Sequence, residues 1–212
     1  MKERGILFSD AMVRAILGDR KHQTRRAIKI QPPKDCYSVY TPFQNEPNNW
    51  QGACTDDKIG WYGKCPYGVP GDRLIVRETW RRWDNGGRQI AYRADLRCYE
   101  ACTNESDIWS VFDDGFSLTK DPGGWNPSSH MPRWASRITL EITDVRVQRL
   151  QEISEEDAWE EGFGVAFGPG MFSRAFDSYW DSINGSKHPW ASNPWVWAIT
   201  FAVTESAGRG KR

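Results

Sequence analysis

The run from Ser136 to Leu150 constrains the fold more than any other stretch. Ile138, Leu140 and Ile142 alternate with other residues, and the alternation resumes one residue out of step at Val145 and Val147. Successive side chains of a pleated strand point to opposite faces, so this period predicts a strand with one buried side. The slip predicts either one long strand bent by a bulge or two strands joined by a tight turn near Asp144. A chain organised around such a segment is sheet-based.

Other segments fit that frame. Leu74 to Trp80 and Gln89 to Ala94 predict two strands across the turn-forming Asp84-Asn85-Gly86-Gly87, with Pro70-Gly71 turning the chain into the first. Trp195 to Val203 predicts a closing strand, and Ala27-Ile28-Lys29-Ile30 a short one stopped by Pro32-Pro33. Ser9-Asp10 before Ala11, Met12, Ala15, Ile16 and Leu17 predicts a capped amphipathic helix with Gly18 at its end. Ser154-Glu155-Glu156-Asp157 opens a second helix that Gly162 closes, and Phe172 to Ile183 predicts a third. Asp19 to Arg26, polar and basic, reads as a connection carrying Lys21 and Thr24. Two stretches, about 34–69 and 95–132, lose periodicity and predict long irregular insertions. Residues 1–205 then form one α+β domain, a small β-barrel with packed helices, and 206–212 a frayed tail.

Composition narrows the function classes. Of the 212 residues 39% are hydrophobic, including 12 tryptophans and 9 phenylalanines, enough bulk for a substantial core. The formal net charge is zero, which excludes coating nucleic acid through sheer positive field. The charge is unevenly spread, however: residues 1–34 hold nine lysines and arginines against three acids, and 73–97 hold seven against three. These blocks are either solvated faces or places where a polyanion would be steered. No stretch has the ~18 consecutive apolar residues of a membrane span, and Met1-Lys2-Glu3-Arg4-Gly5 lacks the apolar run of a signal peptide. Five cysteines (Cys36, Cys54, Cys65, Cys98 and Cys102) make no tidy disulfide framework, and only Cys98 and Cys102 approach metal-ligand spacing. The expectation is a cytoplasmic protein without metal or other cofactor.

Leu17-Gly18-Asp19-Arg20-Lys21-His22-Gln23-Thr24-Arg25-Arg26 resembles the signature of the ASCH family, in which a glycine, a lysine, a threonine three residues later and an arginine follow the first helix. Pro70-Gly71-Asp72 before a strand, a strand followed by Ser154 to Gly162, and the aromatic closing strand recur in family order. The resemblance implies a PUA-like β-barrel, and the whole chain is similar to the larger ASCH proteins carried by phages and prophages. One departure is visible: the family's glycine stands two residues before the lysine, where this chain has Asp19. More distantly, the chain resembles the bacterial amidohydrolases that remove the acyl group from N4-acetylcytidine. Their lysine, threonine and glutamate correspond to Lys21, Thr24 and Glu161, with Glu160 in the competing register.

That set can perform amide hydrolysis. A lysine whose proton affinity is lowered by burial or by neighbouring cations can act as base, a threonine hydroxyl as nucleophile, and a carboxyl group as acid to the departing nitrogen. Arg25, Arg26, Arg77 and Arg82 are candidates for phosphate contacts, while Trp80 and Trp83 are candidates for stacking bases. Each has a structural alternative. Lys21 and Thr24 can be exposed loop residues, Glu161 a solvated acid, Arg77 one half of a structural ion pair, and Trp80 a core residue. Trp134, Trp159, Trp180, Trp195 and Trp197 are assigned to packing. The expected ligand is a modified nucleoside or RNA. Non-catalytic RNA binding, or a protein partner held through the insertions, remain the rivals.

Overall fold

The computed structural model describes residues 1–41, 46–55, 59–84, 88–95, 124–162 and 171–206; the side chains of 83–84, 88–89, 171–174 and 206 lie outside the described ones. In chain order the elements are β1 (Glu3–Leu7), α1 (Asp10–Leu17), β2 (Gln23–Ala27), β3 (Cys36–Tyr40), β4 (Trp50–Cys54), β5 (Ile59–Gly63), β6 (Arg73–Arg77), β7 (Trp80–Asp84) and β8 (Arg88–Tyr92). They continue with β9 (Ile138–Arg149), α2 (Glu155–Glu160), α3 (Met171–Asn184) and β10 (Trp195–Ser206).

The slipped alternation of residues 136–150 resolves as the single strand β9 with a bulge. Thr200 pairs with Asp144 and Phe201 with Ile142, which leaves Thr143 as the extra residue. The bulge reverses the parity of the strand, and so Ile138, Leu140 and Ile142 on one side of it and Val145 on the other are all buried. β9 and β10 lie at the middle of a five-stranded sheet of order β1-β6-β9-β10-β2, in which β1 is parallel to β6 and the other pairs are antiparallel. β1 and β2 are the two edges of this order, so among the described residues the sheet is open. Among the described residues no closed barrel is present, and the architecture is α+β with three sheets.

β10 is covered on both faces. Trp195, Trp197, Ile199 and Phe201 enter the main core, while Val196 packs with Leu150, Phe176 and Trp180 beneath α3. A strand buried on both sides reads as a continuous apolar run, as this one does.

The segment 34–69 is not irregular. β3, β4 and β5 form an antiparallel three-stranded sheet, and Trp50 and Trp61 bring their rings to 5.7 and 6.3 Å from that of Trp197. The core-facing positions of β4 are Trp50, Gly52 and Cys54. A Cβ on Gly52 would lie 2.8 Å from Cys36 Sγ and 3.2 Å from Trp61 Cβ, so close packing demands the glycine. Hydrophobic periodicity cannot score a glycine, and the strand is hidden from it for that reason. Most of the second expected insertion, 96–123 with Cys98 and Cys102, lies outside the described residues.

The strand expected over Leu74 to Trp80 ends at Arg77 and restarts as β7. Glu78 interrupts it: its buried carboxylate takes Arg137 at 2.9 and 3.0 Å, and Arg137 also grips Asp95 while lying 3.9 Å above the Tyr92 ring. Of the tryptophans assigned to packing, Trp180, Trp195 and Trp197 are buried, but Trp134 and Trp159 are 64% and 48% exposed. No helix among the described residues is long and apolar enough to cross a membrane.

After α1, Gly18 keeps a negative φ, and it is Asp19 that takes the left-handed conformation at φ 57°. That is the position where the signature has glycine, and aspartate is among the few other residues that tolerate it. Asp19→Gly should therefore leave stability within about 1 kcal/mol of wild type, because relieved strain and added chain entropy oppose each other. Asp19→Val, β-branched, should cost roughly 1–2 kcal/mol more. Urea unfolding of the two variants measures the difference.

Candidate functional site

Lys21 follows α1, and β2 begins two residues later at Gln23, earlier than the apolar alternation predicts. Its first residues, Gln23, Thr24 and Arg25, are polar yet buried, and Gln23 and Arg25 meet partners from α2 and its cap there. Lys21 itself is 2% exposed and forms an isolated bridge with Glu161, the residue that caps the C-terminus of α2. Its Nζ donates to Glu161 Oε2 at 2.7 Å, to the Glu161 carbonyl at 2.9 Å and to the Gln23 carbonyl at 2.8 Å. An ammonium has three donors, and all three are used. Two of them end on the last residue of a helix, where free carbonyls and the negative end of the dipole favour a cation.

Gly162 makes this approach feasible. It ends α2 at φ 95°, and a Cβ there would stand 3.0 Å from Ala15 Cβ and 3.1 Å from Lys21 Cβ. The two candidate acids are placed differently: Glu160 turns to His22 Nδ1 at 2.9 Å on the surface, whereas Glu161 is 3% exposed beside Lys21.

The second oxygen of Glu161 accepts from Arg25 Nη1 at 3.2 Å. Arg25 also donates to Gln23 Oε1 and to Asp157 Oδ2, both at 2.6 Å, and its side chain is wholly shielded from solvent. Asp157 further accepts from Gln23 Nε2 and Arg146 Nη2, each at 3.1 Å. Arg25, read from sequence as a phosphate contact, thus sits inside a network that holds Glu161 in place. Gln23 and Asp157 are the members that the sequence reading missed. The available signal was the spacing of Asp157 and Glu161, four apart and so on one face of α2.

Electrostatics follow from this geometry. Burial pushes the Lys21 ammonium below the ordinary lysine value; Glu161 pulls the other way without restoring it, and Arg26 and Arg25 add to the depression. Partial burial acts to raise Asp157, but Arg25, Gln23 and Arg146 outweigh it and hold the carboxyl below the usual range.

Lys21, Thr24, Arg25, Arg26 and Glu161 all line one cleft of about 500 Å³. Phe8 from the end of β1 and Phe176 and Tyr179 from α3 supply aromatic walls, with Lys21 Nζ 5.6 Å and Arg26 5.2 Å from the Phe8 ring centre. Size, aromatic walls and a few converging polar groups are the usual attributes of a small-molecule site. Thr24 is 4% exposed, and its hydroxyl has no hydrogen-bond partner among the described residues. The hydroxyl and the lysine therefore share the cleft without being bonded to each other.

Other sequence candidates lie elsewhere. Trp80 is buried against Met131 and Ala135, edge-on to Trp134, which makes it a core residue and not a stacking surface. Arg77 lies over Gly5 and donates to the Ser129 carbonyl, and Arg82 is exposed; neither lines the cleft. The Trp83 side chain lies outside the described ones. No group of three or more metal-ligating side chains converges among the described residues.

No protein-family model matches this chain, and no curated protein matches it. Among solved structures it is similar to the crystal structure of protein EF3133 from Enterococcus faecalis V583, of family-model DUF984. The identity is 8% and the TM-score 0.43, over 100% of this chain and 86% of the other, a likeness that assigns neither fold nor function.

The Lys21 burial has a measurable consequence. Below its depressed folded-state value the ammonium is retained in both states, at full desolvation cost. Between that value and the ordinary 10.5, the unfolded chain holds the proton more tightly, so stability rises with pH. Wild type should gain stability relative to Lys21→Met across this alkaline window, and parallel urea titrations of the two proteins test it. A difference that stays flat or falls with pH would contradict the sign.

Proposed function

We propose that this chain is an ASCH-type protein, PUA-related in fold, whose cleft hydrolyses the N4-acyl group of a modified cytidine. The observation that carries the reading is the convergence of Lys21, Thr24 and Glu161 on one concavity, with the lysine almost wholly removed from water. The resemblance of residues 17–26 to the family signature supplies the substrate.

The chemistry proceeds from the contacts present. Lys21 passes a proton to Glu161 Oε2, 2.7 Å away, which leaves a neutral amine beside a carboxylic acid. The lowered proton affinity of buried Lys21 favours this transfer. The freed lone pair takes the Thr24 proton as Oγ attacks the acyl carbon. Collapse of the tetrahedral intermediate breaks the carbon–N4 bond, and the Glu161 proton goes to the departing nitrogen. Lys21, again an ammonium, passes a proton back to Glu161; its amine then deprotonates a water that attacks the threonyl ester, and Glu161 protonates the departing Thr24 oxygen as the carboxylic acid is released. Arg25, itself held by Asp157, acts by fixing the Glu161 carboxylate beside the base.

A second reading is RNA binding without turnover, and it draws on the saturated donors of Lys21 and the unbonded Thr24 hydroxyl. Apo geometry is often looser than that of the reacting complex, so the contact alone does not decide. The two readings separate by assay. Purified protein should release acetate from N4-acetylcytidine, and Thr24→Val should lower kcat by roughly a thousandfold or more while melting like wild type. No acetate from wild type, together with RNA affinity that falls steeply with salt, supports the binder instead.

A further inference from the structure

Among the described residues, the charges that line the cleft are matched with one exception. Lys21 and Arg25 face Glu161, with Asp157 behind Arg25, and Arg93 is paired with Asp10. Arg26 meets no carboxylate among the described residues. We propose that the molecule this cleft accepts carries a phosphate, and that Arg26 is the side chain that recognises it. The inference rests on the preceding reading for the acylated base, and adds the substrate class: a nucleotide in preference to a nucleoside.

Arg26 is set up for the task. Its Nη2 donates to the Leu7 carbonyl at 2.6 Å, its guanidinium lies over the Phe8 ring, and β2 holds its backbone through pairing with Trp197. The planar group is thereby fixed in orientation before any ligand arrives. Nη1 makes no hydrogen bond among the described residues, and Nε is buried without a partner. A neutral ligand that drives water from the cleft would leave this cation stranded, a large cost. A phosphate oxygen would meet it with charge-assisted bonds, for which a pre-oriented guanidinium is suited. Ser9 and Tyr179 bring hydroxyls 3.5 Å apart to the same cleft, and Tyr179 lies within the electrostatic influence of Arg26, so neutral donors stand near the cation.

Calorimetric titration with cytidine, cytidine 5′-monophosphate and a short single-stranded oligoribonucleotide tests the inference without requiring turnover. Wild type should bind the monophosphate at least roughly tenfold more tightly than cytidine, and Arg26→Gln should reduce that ratio to about two or less. Arg26→Lys, which keeps a charge but loses the fork, should retain part of it. Equal affinity of wild type for cytidine and its monophosphate overturns the proposal, as does a ratio unchanged in Arg26→Gln. Should both variants fail to fold, the wild-type comparison decides alone. Tighter, Arg26-dependent binding of the oligonucleotide than of the monophosphate identifies an RNA strand as the source of the phosphate; the reverse identifies a free nucleotide. Absence of acetate release from N4-acetylcytidine and its 5′-monophosphate removes the hydrolase reading and leaves the affinity comparison standing.

Discussion

The buried ion pair between Lys21 and Glu161 is the interaction on which the rest of the cleft depends. It joins the end of α1 to the end of α2, and both termini are shaped to admit it: Asp19 in a left-handed turn on one side, Gly162 on the other. Two opposite charges so far from water recover their desolvation only when every lone pair and proton finds a partner. Here each does. The lysine spends its remaining donors on two carbonyls, and the free carboxylate oxygen takes Arg25, which is itself locked by Asp157 and Gln23. Burying an ion pair of this kind adds little to stability compared with apolar packing, so its presence in a cleft points toward chemistry or recognition.

Much of the sheet was legible because one-sided burial writes itself as alternation. β9 announced its length and a break in parity through the step between Ile142 and Val145, leaving bulge or turn to the structure, and Ser154 and Gly162 marked the limits of α2 by capping chemistry. What remained illegible has physical reasons. β2 hides its strand character because its buried residues are polar ones neutralised by a distant helix, and β4 hides because a glycine and a cysteine occupy core-facing positions. The open sheet was missed for a different reason: a signature of ten residues says how one turn is built, and nothing about whether two distant edges meet.

The candidate site divides along the same line. Lys21, Thr24 and Glu161 were readable as residues, but their burial, and the enclosure of Arg25, came from long-range pairing that no local pattern encodes. Arg25 and Arg26, adjacent and chemically identical, end in different circumstances: one is enclosed and paired with Asp157 and Glu161, the other lies over the Phe8 ring and meets no carboxylate among the described residues. Trp80 lost its candidacy through packing against Met131 and Ala135, which lie about fifty residues further along the chain.

The small sheet of β3, β4 and β5 seats two indoles on Trp197, at the strand that also carries the pairing partner of Thr24. It is a buttress, and the word insertion misdescribes it. A shortened version of this protein that dispensed with those strands would expose the aromatic side of β10 to solvent, and with it lose the rigid backing against which β2 presents Thr24 and its arginines. Any ancestor or relative lacking the segment must have propped that wall with something else.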